Sequence, residues 1–339
     1  YHYPSMNAAY REAFATYGVD VDDHDAALEV LRASAIAPDL ASALDQWALC
    51  NQVLSGRTSQ ERADDTHRLL LLAEEADADA TRGRIRRALR ENDLGTLLLI
   101  ADEQPDLEAE SFVLLAGGLR INGDDEDAAR VLRVATARFP GDFWLALHSG
   151  LAERAITPDL TSPRAIAAFR AALAARPSSL EARHLLGSTL SRAGRFEEAR
   201  LVFAELTAMD PSKGHWHAHL GECVMTLDGP RAALEVLSEA TRLAPEDTYA
   251  LDWYADCFLR LGASYSATRV LQRAADLEPT PASFHRLAAA ASESGDATLS
   301  LDAFRKVLAL APDDWSALYG AGIQARDLGD YADAQDFLR

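Results

Sequence analysis

Six prolines keep an almost constant interval along this chain. Pro140, Pro177, Pro211, Pro245, Pro279 and Pro312 are separated by 37, 34, 34, 34 and 33 residues. Each closes an amphipathic segment of similar make-up: "AARVLRVATARFP", "AIAAFRAALAARP", "EARLVFAELTAMDP", "ALEVLSEATRLAP", "ATRVLQRAADLEP" and "SLDAFRKVLALAP". Proline cannot continue a helix, so each one ends a helix and sets the turn that follows. A single helical hairpin cannot bury its apolar face; stacked neighbours can. The expected fold is therefore all-α, a stack of helical hairpins.

Other positions recur at the same period. In residues 180 to 213 they are Leu186-Gly187 in the first helix, Gly194 and Phe196 in the turn, then Ala199, Phe203 and Pro211. The next copy has Leu220-Gly221, Ala233, Leu237 and Pro245, and the last opens with "LYGAGIQARDLGDYADA". This pattern resembles the tetratricopeptide repeat, W-x2-LG-x2-Y then A-x3-F then P. The resemblance implies a right-handed α-solenoid over residues 108–339, with six complete repeats and a truncated seventh. A small residue at the eighth place lets the two helices of a hairpin approach closely. The bulky residue at the twenty-fourth fills the groove between one hairpin and the next. Two departures are small: three extra residues in "AITPDLTSPRA", and Ser300 where alanine is usual.

Residues 1–107 lack the register yet read as helices, an irregular cap on the repeats. "SMNAAYREAFATYG" has Ser5 as an N-cap, with Tyr10, Phe14 and Tyr17 on one face and Gly18 as a stop. "DLASALDQWALCNQVLSG" sets Leu40, Leu44, Trp47 and Leu54 along one face, ending at Gly56. "TRGRIRRALREN" and "DLGTLLLIADEQP" suggest a degenerate hairpin ending at Pro105. "YREAFATYGVDV", "LASALDQWAL" and "RFPGDFWLALHSGLA", leading into the repeats, resemble the C-terminal region of large bacterial serine/threonine protein kinases of the planctomycete kind. That resemblance implies a cytoplasmic signalling enzyme whose repeats recruit partners or substrates. The chain itself carries no Gly-rich loop, VAIK lysine, HRD or DFG, so it is not expected to be an enzyme. It lacks an initiator methionine and stops within a helical pattern, as a piece of a longer protein would.

Charge narrows the partners. The net charge is −20, and Lys213 and Lys306 are the only lysines, leaving 31 of the 33 basic residues as arginine. No basic cluster stands out, so nucleic acid is not an expected partner. No apolar run reaches the roughly 18 residues of a membrane span, and "YHYPSM" is unlike a signal peptide. Cys50, Cys223 and Cys257 form no CxxC pair, which fits a reducing cytoplasm. Cys223 and Cys257 occupy the same small, buried place of adjacent repeats, so packing explains them.

Candidate chemistry reduces to a surface. "GHWHAHLGE" places His215, His219 and Glu222 on one helix in an arrangement zinc favours, but no further ligand is expected on a second element. "DVDDHDAALE" fails as a calcium loop because His24 replaces a ligand and Asp25 stands where glycine is needed. No cofactor or metal is expected. In tetratricopeptide arrays the first helices line a concave groove, chiefly through places 2, 5, 9, 12 and 13. Carried over, the partner-binding candidates are Trp144, Arg154, Glu181, His184, Arg192, His215, Glu222 and Met225, then Tyr249, Asp252, Asp256, Arg260, His285, Tyr319 and Arg326. Aromatics and arginines are the residue types that make binding hot spots. The expected ligand is a peptide or protein segment of mixed charge. Self-association is the alternative.

Overall fold

The computed structural model describes residues 3–51, 59–103, 107–157 and 161–337. All regular structure among them is helical. The first helices are α1 (Tyr3–Thr16), α2 (His24–Ala33), α3 (Ala37–Asn51), α4 (Ser59–Ala76), α5 (Ala80–Glu91) and α6 (Leu94–Glu103). Paired helices follow: α7 (Ala109–Ile121) with α8 (Asp125–Arg138), α9 (Phe143–Ala155) with α10 (Pro163–Ala175), and α11 (Leu180–Arg192) with α12 (Phe196–Met209). Then come α13 (Gly214–Leu227) with α14 (Pro230–Leu243), α15 (Thr248–Arg260) with α16 (Ser264–Leu277), α17 (Pro281–Glu293) with α18 (Ala297–Leu310), and α19 (Trp315–Asp327) with α20 (Tyr331–Phe337). The chain falls into two compact units, residues 1–182 and 183–339. The expected division at residue 107 follows repeat register, a different property from compaction.

The prolines act as their spacing implies. Each follows directly on the C-cap of a second helix, and the caps Phe139, Arg176, Asp210, Ala244, Glu278 and Ala311 share nearly the same backbone. Their φ lies between −143° and −119° and their ψ between 67° and 89°. The ring of the next residue drives them out of the helical region. Acidic caps then start many of the first helices: Asp142, Asp247 and Asp314 each accept a backbone N–H of the first turn. Within a hairpin, Gly194 turns the chain at φ +70°, a conformation that costs other residues a Cβ clash.

Close approach inside three of the hairpins depends on a missing side chain, and alanine takes the same place in others, as at Ala255 and Ala288. A Cβ at Gly187 would sit 2.8 Å from the Phe203 ring, at Gly221 2.4 Å from Leu237, and at Gly150 2.4 Å from Phe169. These are the eighth and twenty-fourth places; the longer gap from Gly150 to Phe169 absorbs the three extra residues. Phe169, Phe203 and Leu237 are fully buried. Ser300 replaces the usual alanine without leaving its hydroxyl unpaired, because it donates to the Ala288 carbonyl at 2.9 Å across the hairpin.

The unit of residues 1–182 begins with less regular packing. Tyr10 and Phe14 stack on Trp47 with ring centroids 5.8 and 5.7 Å away, while Gly18 breaks α1 at φ +86°. Tyr17, expected on the same face, is exposed and meets the Ser34 hydroxyl at 2.8 Å. Helix α1 begins at Tyr3, so Ser5 lies inside it and is not its N-cap. Leu54, Gly56 and Pro105 lie outside the described residues. A buried ion network ties the region together. Arg86, wholly buried, donates to both Asp45 oxygens at 2.9 and 2.8 Å and to Asp77 at 2.9 Å. Arg82 bridges Asp77 and Glu108 at 2.6 and 2.9 Å. Burial pushes the Asp77 carboxyl upward, but the bonds from Arg82, a backbone amide and Arg86 outweigh it and hold it below the ordinary carboxylate range. The acidic "DVDDHD" run is likewise occupied: Asp22 pairs with Arg11 and Arg68, Asp23 caps α2, and His24 meets Glu75 at 3.2 Å.

Two glycine substitutions in this first unit separate close approach from helix propensity. Gly150→Ala forces a methyl into the Phe169 ring and is expected to cost about 1–3 kcal/mol. Gly83→Ala meets only the Glu74 Cγ at an ordinary 3.9 Å and is expected to be neutral or to stabilise by up to about 1 kcal/mol. Urea unfolding followed by circular dichroism measures both.

Candidate binding groove

The alternation of first and second helices sets α11, α13, α15, α17 and α19 to repeat the same face toward their neighbours. Residues two, five and nine places into each helix thereby recur along one surface. In the unit of residues 183–339 that surface is joined by side chains reaching from one first helix to the next. Ser191 of α11 donates to Glu222 of α13 at 3.0 Å, and the Tyr249 hydroxyl of α15 donates to the other Glu222 oxygen at 2.5 Å. Arg286 of α17 pairs with Asp252 and with Asp256 of α15, the latter at 2.5 Å, and donates to the Asp252 carbonyl at 3.2 Å. His285 of α17 meets Asp314, the cap of α19, at 2.9 Å, and Gln324 of α19 donates to Ser292 of α17 at 3.0 Å.

Rings cover the Glu222 end of this ladder. His219 stacks on Phe203 with centroids 4.8 Å apart and lies 4.6 Å from Tyr249 and 5.4 Å from His184. His184 meets His215 edge-on at 5.8 Å, and Tyr249 meets Trp253 at 6.3 Å. The cluster spans three consecutive first helices. Its electrostatics centre on the carboxylate. Burial pushes Glu222 upward, but the nearby His219 ring and the hydrogen bonds from Tyr249 and Ser191 more than reverse this and hold it below its ordinary value. His215 is held lower, toward the neutral ring, by partial desolvation and by the neighbouring His219. Tyr249 is pushed well above an ordinary phenol by burial and by Glu222.

That geometry disfavours a metal at His215, His219 and Glu222. The His219 Nδ1 atom lies 3.6 Å from a Glu222 oxygen that already accepts the tyrosine hydroxyl. Among the described residues, no group of three or more histidine, cysteine and carboxylate side chains is arranged to hold a metal ion. Cys223 and Cys257 are buried. Burial, with Glu222 nearby, pushes the Cys223 thiol up to about 12, and burial raises Cys257 too.

The remaining candidates are distributed unevenly. Arg192, His215 and Arg260 are exposed, and Tyr319 is 59% exposed. Exposed Arg326 pairs with its neighbour Asp327 at 2.8 Å. Met225 is a correction: it is 1% exposed and packs with Ala233 and Leu237 of α14 and Cys257 of α15, so it cannot face a ligand. In the other unit, Trp144 is 41% exposed, edge-on to Phe143 at 5.0 Å, with the Arg176 guanidinium 5.4 Å from its ring. Arg154 is half-buried there, and burial raises the Glu181 carboxyl. Sequence reasoning missed Ser191 and Arg286. Their signal is an offset: Ser191 precedes Glu222 by 31 residues and Arg286 follows Asp252 by 34, close to one repeat.

Comparison with known proteins agrees with this architecture. Family models for the tetratricopeptide repeat match residues 163–223 and 285–339. No curated protein matches the chain. A solved tetratricopeptide repeat protein from Parabacteroides merdae superposes with a TM-score of 0.52 at 14% identity, over 68% of this chain and 90% of that one. A thermophilic repeat protein from Thermus thermophilus gives 0.43 at 23% identity, over 55% and 100% of the two chains. MamA from Desulfovibrio magneticus gives 0.46 at 19% identity, over 50% and 95%. The fold is an all-α tetratricopeptide-repeat solenoid, the architecture of a protein–protein interaction module. No helix among the described residues is long and apolar enough to cross a membrane.

The depressed Glu222 carboxyl fixes the sign of a pH effect. A folded value below the unfolded value of about 4.3 contributes stability above that pH, lost as pH falls through the folded value. Glu222→Gln is expected to cost about 1–2 kcal/mol at pH 7, and the gap to wild type should shrink steadily below pH 4.5. Thermal unfolding between pH 7 and pH 3 checks this; a gap constant with pH would contradict it.

Proposed function

We propose that this chain is a non-catalytic interaction module that binds a peptide or protein segment along the first helices of residues 183–339. One observation carries the reading: the ring cluster of His184, His215, His219 and Tyr249 bridges three consecutive helices over a hydrogen-bonded carboxylate. The ladder beneath it fixes side chains in place, so a ligand would meet a surface whose ordering cost is already met. Exposed His215 and Arg260 supply contacts at its edge. A segment of mixed charge suits a floor in which Asp252 and Asp256 already share Arg286. The resemblance to kinase C-terminal regions extends the proposal: the module would be the cytoplasmic regulatory or substrate-recruiting part of a serine/threonine kinase. The proposed organisation is an irregular helical region over 1–107 and repeats over 108–339.

A second reading, self-assembly, is favoured by one feature. Trp315, Tyr319 and Tyr331 of the last hairpin are 78%, 59% and 72% exposed, three large aromatic side chains left open to a partner copy. One capture experiment from the native lysate separates the two. A partner retained by wild type and lost from His215→Ala/Arg260→Ala supports groove binding. Recovery of the chain itself, lost from Trp315→Ala/Tyr331→Ala and indifferent to the groove pair, assigns the module to self-assembly.

A further inference from the structure

Helix α15 has two working faces. Tyr249, Asp252, Asp256 and Arg260 lie along one; Leu251, Tyr254 and Phe258 fall about half a turn away at the helical period. The second set, with α14 and α16, lines a cleft of about 520 Å³ outside the groove. Three arginines stand around it: Arg242 of α14, and Arg269 and Arg273 of α16. They differ in pairing: Arg242 is neutralised by its own helix, whereas Arg269 and Arg273 are not, in a chain with net charge −20. Seven described arginines of residues 183–339 reach a carboxylate. Arg269 and Arg273 have no carboxylate within ion-pair distance among the described residues, although they sit four apart on one helix, where like charges repel. Arg242 spends Nε and Nη2 on Glu239, at 2.7 and 2.6 Å. The rest of the rim includes the hydroxyls of Ser238 and Ser266, and the wall holds Tyr254 and Phe258 with rings 4.6 Å apart.

Unneutralised guanidinium groups beside hydroxyl donors fit an anion with several acceptor oxygens, and the aromatic wall fits an apolar stem. We propose that this cleft binds a phosphate monoester carried on an aromatic or aliphatic group. The guanidinium forks of Arg269 and Arg273 take the phosphoryl oxygens, the serine hydroxyls add donors, and Tyr254 and Phe258 receive the stem. The site is separate from the groove and does not depend on the groove's ligand.

Isothermal titration of the full chain with phenyl phosphate tests the proposal. The expected result is saturable binding that weakens with added salt, is absent for phenol, and falls about tenfold or more in Arg269→Gln/Arg273→Gln. Both arginines are exposed, so the double variant should keep the wild-type melting temperature, and His215→Ala should leave the affinity unchanged. A short peptide carrying one phosphotyrosine then identifies the source. Tighter binding than phenyl phosphate points to a partner's side chain, and equal binding to a free small ester. No saturable binding of either probe, or an affinity unaltered in the double variant, would overturn the site.

Discussion

The architecture depends on one contact: a glycine of the first helix facing a bulky ring or leucine of the second. At Gly150, Gly187 and Gly221 the opposing Phe169, Phe203 and Leu237 come within 2.8 Å of where a Cβ would be. Only a missing side chain permits this interhelical distance while the partner is wholly buried. The contact recurs at Gly150, Gly187 and Gly221, and a small alanine holds the same place in α15 and α17, so neighbouring first helices keep a similar spacing from their partners. A surface built one element at a time, from Ser191 to Glu222 to Tyr249 and from Asp252 to Arg286, requires that regularity.

The same contact couples core and groove. Phe203 fills the space against Gly187 and also carries the stacked His219 ring, which packs on Tyr249. Burial would discourage charge on Glu222, yet the Ser191 and Tyr249 hydroxyls and the nearby His219 ring favour its ionised form. A half-buried carboxylate bonded on both oxygens rigidifies the helices that bond to it. The proposed binding surface is therefore stiff at its Glu222 end, with exposed side chains such as His215 and Arg260 free to adapt at its rim.

Much of the fold was legible because it repeats. Proline spacing located the second-helix ends, and the glycine and phenylalanine places located the hairpin contacts. The groove face was legible as a set of places, but not which members turn inward: Met225 satisfies the place count, yet the rotation of α13 puts it against Leu237. Irregular parts gave less. Arg86 lies 41 residues from Asp45, and no period joins them, so their ion pair is visible only in three dimensions. The arginine cleft escaped for a similar reason, since Arg242 is 27 residues from Arg269 and no basic run betrays it. Ser5 looked like a cap because a serine preceded an amphipathic run, but the helix already extends to Tyr3.

The most direct test of groove binding is site-specific photocrosslinking to the captured partner. A photoreactive benzoylphenylalanine replaces either His215, on the first-helix face, or Tyr265, 71% exposed at the start of α16. The account predicts a partner crosslink from position 215 and none from position 265. A crosslink from 265 with none from 215 would contradict it, placing the partner away from the groove.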